Sequence, residues 1–199
     1  MKRVILGILL SAVFGVAQAA ILEIKNSSAI SFSGYDGQPA TITGAQSTGF
    51  WGSLFANTAG TFSATYLGNE SGYTNKYTFG VGNTLFESNT LGTTITESVG
   101  PGTVKFSFLD SMGMTFSNGQ QQSQPLGFAI LNGQTNKYGT FDYLLGFNDS
   151  YRGDADYDDF VVGVNFVAAP VPEPETYAML LAGLGLIGFS ARRRKSYNA

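Results

Sequence analysis

The chain has 199 residues, 26 glycines, no histidine, no cysteine and a formal net charge of −3. Without His or Cys it cannot build a Ser-His-Asp triad, a thiol nucleophile or an ordinary zinc site. Charge is unevenly divided: residues 20–170 hold five Lys/Arg against twelve Asp/Glu, a net −7, and the other six cations lie near the two ends; an acidic central region argues against nucleic acid and anionic lipid as its partners.

At the start, Lys2 and Arg3 precede an apolar run from Val4 to Val16, and Ala17-Gln18-Ala19 follows. A basic head, a short apolar stretch and a small-x-small tripeptide make an export signal, with cleavage after Ala19 and a mature chain from Ala20. An uncleaved anchor is the alternative, but thirteen apolar residues are short against the roughly 20 a spanning helix uses. Residues 20–170 then form one domain, long enough to bury a core without disulfides.

That domain reads as strands. Phe62, Ala64 and Tyr66 alternate with Thr61, Ser63 and Thr65; Tyr77, Phe79 and Val81 with Lys76, Thr78 and Gly80; Val104, Phe106 and Phe108 with Lys105 and Ser107. Phe141, Tyr143, Leu145 and Phe147 share one parity, as do Phe160, Val162, Val164 and Phe166. Period-two patterns of aromatic and β-branched residues are the strand signal, and no segment here keeps a helical period. Gly68-Asn69, Ser71-Gly72, Gly82-Asn83, Asn118-Gly119 and Asn132-Gly133 suit tight turns between them. Residues 26–51 read as strand pairs with long loops, and Asn118–Gln124 as a polar loop. The expected fold is all-β: an antiparallel, jelly-roll-like β-sandwich of about eight to ten strands.

The most informative constellation is acidic. Asp149, Asp154, Asp156, Asp158 and Asp159 are five of the domain's twelve acids, gathered within eleven positions and offset locally only by Arg152. Like charges so close repel unless a cation or backbone amides neutralise them. Asp at alternate positions 154, 156 and 158 suits a loop that turns carboxylates towards one point, as calcium loops do, and Gly153 permits a sharp turn before it. If the last strand runs back through Phe160, Asp158 falls on the core side and needs a partner, while Asp159 faces away. The alternative is a solvated turn whose Asp side chains cap backbone amides, since the spacing departs from an EF-hand loop. The string Gly146, Phe147, Asp149, Gly153, Asp154, Asp156, Tyr157, Asp158, Asp159, Phe160 resembles the signature of DUF4114-like domains of secreted and surface proteins, with Asn148 where an acid is common. The resemblance implies a calcium-associated β domain and no catalysis.

Outside this cluster, Asp110 and Asp142 are the acids near aromatics, and both read more readily as strand-end and turn residues than as the carboxylate pair of a glycosidase. No catalytic residue is assigned, and no enzymatic activity is expected. Phe50, Trp51, Tyr66, Tyr73 and Tyr77 raise the alternative of a sugar-stacking face, with Trp51, set among glycines, its candidate.

At the far end, Pro172-Glu173-Pro174 is stiff and extended, an uncharged stretch from Thr176 to Ala191 follows, and Arg192, Arg193, Arg194 and Lys195 stop it. Sixteen uncharged residues reach about 24 Å as a helix, against a bilayer core of about 30 Å. The span is marginal, helped by snorkelling arginines, with Gly183, Gly185 and Gly188 suited to close helix packing and the basic end cytoplasmic. A buried C-terminal helix is the alternative. The order and spacing of these parts over residues 171–195 closely resemble the PEP-CTERM sorting signal of Gram-negative bacteria. The resemblance implies recognition and processing by a membrane-embedded exosortase near Pro172-Glu173-Pro174, in a bacterium that makes extracellular polysaccharide.

Taken together, these readings describe an exported protein with a transmembrane helix at about 176–191 and a short tail at 196–199. It is held at the inner membrane at least transiently and then delivered to the surface or extracellular matrix. The expected role is structural or adhesive, with calcium on one loop. A carbohydrate-binding module for exported polysaccharide and a polysaccharide-modifying enzyme are the alternatives.

Overall fold

The computed structural model describes residues 21–33, 42–120, 125–149, 154–170 and 174–197. The export signal, with Lys2, Arg3, Ala17 and Ala19, lies outside them, as do Arg152, Gly153, Pro172 and Glu173. The chain divides into two compact units between Val167 and Ala168.

The first unit is built from fourteen strands among the described residues: β1 (Leu22–Ser31), β2 (Thr48–Ala56), β3 (Gly60–Gly68), β4 (Lys76–Phe79), β5 (Asn83–Phe86), β6 (Thr94–Val99), β7 (Gly102–Thr103), β8 (Phe106–Leu109), β9 (Thr115–Ser117), β10 (Gly127–Asn132), β11 (Thr135–Asn136), β12 (Gly139–Thr140), β13 (Tyr143–Asn148) and β14 (Phe160–Ala168). The larger sheet has eight strands in the order β1-β2-β10-β13-β14-β3-β6, with β7 paired to β2; the smaller is β5-β4-β8-β9. The number of strands exceeds the eight to ten expected from the sequence, because two- and three-residue strands are too short to show a period.

Aromatic rings join the two sheets. Phe108, on β8 of the smaller sheet, stacks on Phe147 of β13 at 5.0 Å with an interplanar angle of 1°, and meets Phe128 of β10 at 5.8 Å and Phe160 of β14 at 6.2 Å. Phe79 of β4 meets Phe62 of β3 at 4.9 Å, and within the smaller sheet Tyr77 packs on Phe108 at 5.2 Å. The structure is therefore an antiparallel sandwich, but one of unequal sheets rather than a jelly roll's matched pair.

The opposite face of the large sheet is covered as well. Leu67, Ala129, Leu131, Leu144 and Val161 pack there beneath Ala155, Tyr157, Phe141, Phe32 and Ile42. This explains why Phe160–Val164 is buried without interruption, where a half-solvated strand would alternate. Phe141 departs from its expected parity: it precedes β13 and lies across Gly163, where an added Cβ would come within 2.6 Å of its ring. Gly146 does the same for the chain at Tyr157, whose carbonyl oxygen would be 2.2 Å from such a Cβ. These two glycines let a phenyl ring and a loop lie flat on the sheet.

The second unit contains one helix, α1 (Pro174–Tyr197). It starts at Pro174, whose fixed φ suits the first helical turn, and continues past the expected end at Ala191 through Arg192–Lys195. Between Tyr177 and Phe189 its large apolar side chains are exposed, Met179 by 74% and Ile187 by 68%. Among the described residues, no helix is long and apolar enough to cross a membrane. The uninterrupted apolar run of thirteen residues, Tyr177–Phe189, extends about 20 Å, so the expected transmembrane helix is not present as a full-length apolar span.

Candidate functional site

The site forms where two connections meet at one end of the large sheet. β14 lies beside β3, so the residues just before Phe160 face those just after Gly68, and Tyr66 and Phe160 pack ring to ring at 4.9 Å. The acidic loop is fastened from below by paired backbone hydrogen bonds between Ser33 and Ala155, 3.2 and 2.6 Å long. Asn148 assists by donating from Nδ2 to the Asp154 carbonyl at 3.1 Å. Tyr157 adopts φ +61°, a left-handed conformation that a non-glycine residue keeps only when its surroundings hold it there. Here its ring is 1% exposed and sits 4.9 Å from that of Phe32.

The turn at Tyr157 directs its two neighbours inward. Asp156 and Asp158 are 9% and 3% exposed. With Glu70 they place one carboxylate oxygen each within 4.8 Å of one another, and the Glu70 backbone N–H donates to the Asp158 carbonyl at 3.1 Å. The Asp158 Oδ2 atom is buried and has no hydrogen-bond partner. Burial, reinforced by Glu70 and Asp156, pushes the Asp158 carboxyl up to about 9. Burial also raises Asp156, with Asp154 and Glu70 adding repulsion.

Asp149 and Asp159 are engaged differently. The Asp149 Oδ2 atom accepts from Ser71 Oγ and Asn75 Nδ2, both at 2.6 Å, and its backbone N–H donates to Asp159 Oδ2 at 2.7 Å. These contacts clasp the strand end to the β3–β4 connection. Burial pushes Asp159 up to about 7 against the effect of that N–H. Glu87, which accepts from the Asn75 N–H at 2.7 Å, is also raised, first by burial and further by Asp149. Of the five aspartates singled out in the sequence, the structure brings Asp156 and Asp158 together at one point. Asp149 and Asp159 form a neighbouring clasp, and Asp154 stands beside both groups as a half-buried charge.

Glu70, Ser71 and Asn75 escaped the sequence reading. They lie more than seventy positions from the loop in the chain, inside what reads as an ordinary turn cluster, and only the pairing of β3 with β14 makes them neighbours. The one ion pair among the described residues, Lys25 Nζ to Glu23 Oε1 at 3.0 Å, is not part of this cluster. Asp110 and Asp142 act as turn and strand-end caps: Asp110 Oδ1 accepts from the N–H groups of Met112 and Met114, and Asp142 Oδ2 from that of Phe166.

Three carboxylate oxygens no more than 4.8 Å apart leave a shared centre within about 2.8 Å of each, close to calcium–oxygen distances of about 2.3–2.6 Å. An all-oxygen donor set suits a hard cation, and an orphaned buried carboxylate oxygen is the group such an ion would satisfy. Glu70, Asp156 and Asp158 are the residues that could hold such a cation.

Trp51 is half-buried on β2, and its Nε1–H donates to the Tyr157 hydroxyl at 2.9 Å. Of the other aromatics considered for sugar stacking, Tyr66 and Tyr77 are buried in the core and Tyr73 is 60% exposed, so these residues form no exposed aromatic row with Trp51.

Comparison with curated proteins and comparison with solved structures each found no match. The PEP-CTERM protein-sorting motif matches residues 170–195. That match begins after the string Gly146–Phe160, and no comparison shows the expected likeness of that string to DUF4114-like domains. The match takes in Pro172, Glu173, Pro174 and the cluster Arg192, Arg193, Arg194: the chain carries the sorting motif of an exported protein processed by an exosortase and delivered to the cell surface.

Proposed function

We propose that this protein is a non-enzymatic surface or matrix component whose β-sandwich is clamped by calcium at Glu70, Asp156 and Asp158. The observation that carries the reading is the buried, unpartnered Oδ2 of Asp158 set against two further carboxylates. An uncompensated buried charge is costly, and a bound divalent ion reverses the sign of that cost. The ion would also join the β3–β4 connection to the loop before β14, two segments with no covalent link near each other. Such a staple suits a domain that has no cysteine and works outside the cell. The absence of His and Cys supports a role without catalysis. Helix α1, with its short apolar run and its cationic end, serves in this reading as a transient membrane contact during exosortase processing rather than a permanent anchor.

The test is thermal unfolding of the full chain in calcium and in chelator, since an ion that binds only the folded state stabilises it by mass action. A clear rise in melting temperature with calcium, lost in Asp156→Asn, is the expected result. No shift at millimolar calcium would leave the carboxylates as an acidic turn and remove the reading.

A further inference from the structure

Trp51, whose indole N–H is bound to Tyr157, also lines a groove at the irregular pairing of β1 with β2. Antiparallel pairing of β1 with β2 slips between Lys25↔Ser53 and Ser28↔Trp51. Two residues of β1, Asn26 and Ser27, thus oppose Gly52 alone. Asn26 takes φ +51°, and an added Cβ on Gly52 would come within 2.8 Å of Ile24 and 3.2 Å of the Ser27 Cα. The bulge depends on that glycine. It pushes the chain outward and opens a groove of about 550 Å³, lined by Asn26, Ser27, Ser28, Trp51, Ser53 and Gln120 together with two glycines.

We infer that this groove is a binding site for a neutral saccharide. Its volume lies within the range of about 300–1,000 Å³ for small-ligand sites. Its lining has no Asp, Glu, Lys or Arg, in a domain whose acids outnumber its cations. What it offers is three hydroxyls, the Asn26 carboxamide, the Nε2 group of Gln120, whose Oε1 already accepts from the Ser117 N–H at 3.1 Å, and one indole, a set that matches the hydroxyls and the apolar C–H face of a sugar ring. Asn26, Ser27 and Ser28 are exposed, and among the described residues no hydrogen bond occupies their side chains or that of Ser53. The indole is pre-positioned, because its N–H is already committed to a tyrosine that is 1% exposed. Pre-organisation of this kind lowers the entropy cost of binding. An extended peptide is the competing occupant, since β1 is an edge strand. The bulge breaks the row of backbone groups such a peptide would pair with, and this favours the sugar. The inference does not rest on the cation reading.

Trp51 is the chain's only tryptophan, so its emission reports directly on the groove. The experiment titrates the full chain, held in detergent, with neutral gluco-, manno-, galacto- and xylo-oligosaccharides in calcium and in chelator, with calorimetry alongside. The expected result is a saturable change in emission with at least one of them, matched by heat. Ser28→Ala combined with Ser53→Ala keeps the tryptophan and weakens affinity about tenfold, Trp51→Ala weakens it at least as much by calorimetry, and Ser98→Ala on β6 leaves it unchanged. No response to any of the four sugars overturns the inference. So does affinity unchanged in the double serine variant, or saturable binding of an extended peptide in their place.

Discussion

Asp158→Asn separates the cost of a buried carboxylate from the gain of a bound ion. Burial beside Glu70 and Asp156 raises the folded carboxyl from 3.8 to about 9. A carboxyl raised in this way keeps a proton in the folded state that the unfolded state has released. The contribution of this one group to stability is therefore fully present below pH 3.8 and is lost as pH rises towards 9. Between pH 3.8 and pH 7 the full shift would amount to about 4 kcal/mol at roughly 1.36 kcal/mol per unit; sharing of the proton with Asp156 and solvent screening at the exposed Glu70 side reduce this to about 1–2 kcal/mol. Asn has the same shape, cannot ionise, and offers an N–H₂ to the facing carboxylates. In chelator at pH 7 the variant should melt above the unmodified chain, by roughly 2–8 °C for a domain of this size, and its stability should change less with pH. In calcium the order should narrow or reverse, because the unmodified chain gains about 2.7 kcal/mol at a hundredfold excess over Kd while the variant has lost a ligand. Differential scanning calorimetry from pH 4 to 9 reads both effects. A variant less stable than the parent in chelator, with an unchanged pH slope, would refute the account of Asp158 as an uncompensated buried acid. Equal calcium shifts in the two proteins would move the ion elsewhere.

Gly146→Ala places a methyl 2.2 Å from the Tyr157 carbonyl oxygen, so the loop must lift from the sheet; a loss of at least about 2 kcal/mol and a red shift of Trp51 emission, as its bond to Tyr157 breaks, are expected in urea titration. Phe108→Ala removes the ring shared by Tyr77, Phe106, Phe128, Phe147 and Phe160 and should cost about 3–5 kcal/mol, read from the urea midpoint. Replacing Arg192, Arg193 and Arg194 with Ser should leave the precursor unprocessed in the exporting cell. Mass and fractionation check this, and normal surface delivery would refute the role given to the arginines.

The features legible without a structure are those carried by local order along the chain. Period-two alternation marks β3, β4, β8, β13 and β14, because a strand sends successive side chains to opposite faces whatever lies beyond them. The acidic loop is visible for the same reason, as an excess of like charge within a few residues, and the sorting motif is legible as an ordered string of Pro-Glu-Pro, apolar run and arginines. What only the tertiary structure decides is which distant segments become neighbours. Sheet order sets β3 beside β14 and carries Glu70 to Asp158. Gly146 and Gly163, mere interruptions in a strand pattern, become seats for Tyr157 and Phe141, and the bulge opposite Gly52 opens a groove beside a stretch that reads only as strand pairs with long loops. Alternation encodes which face a residue occupies but not what covers that face, and the site lies where two such coverings meet.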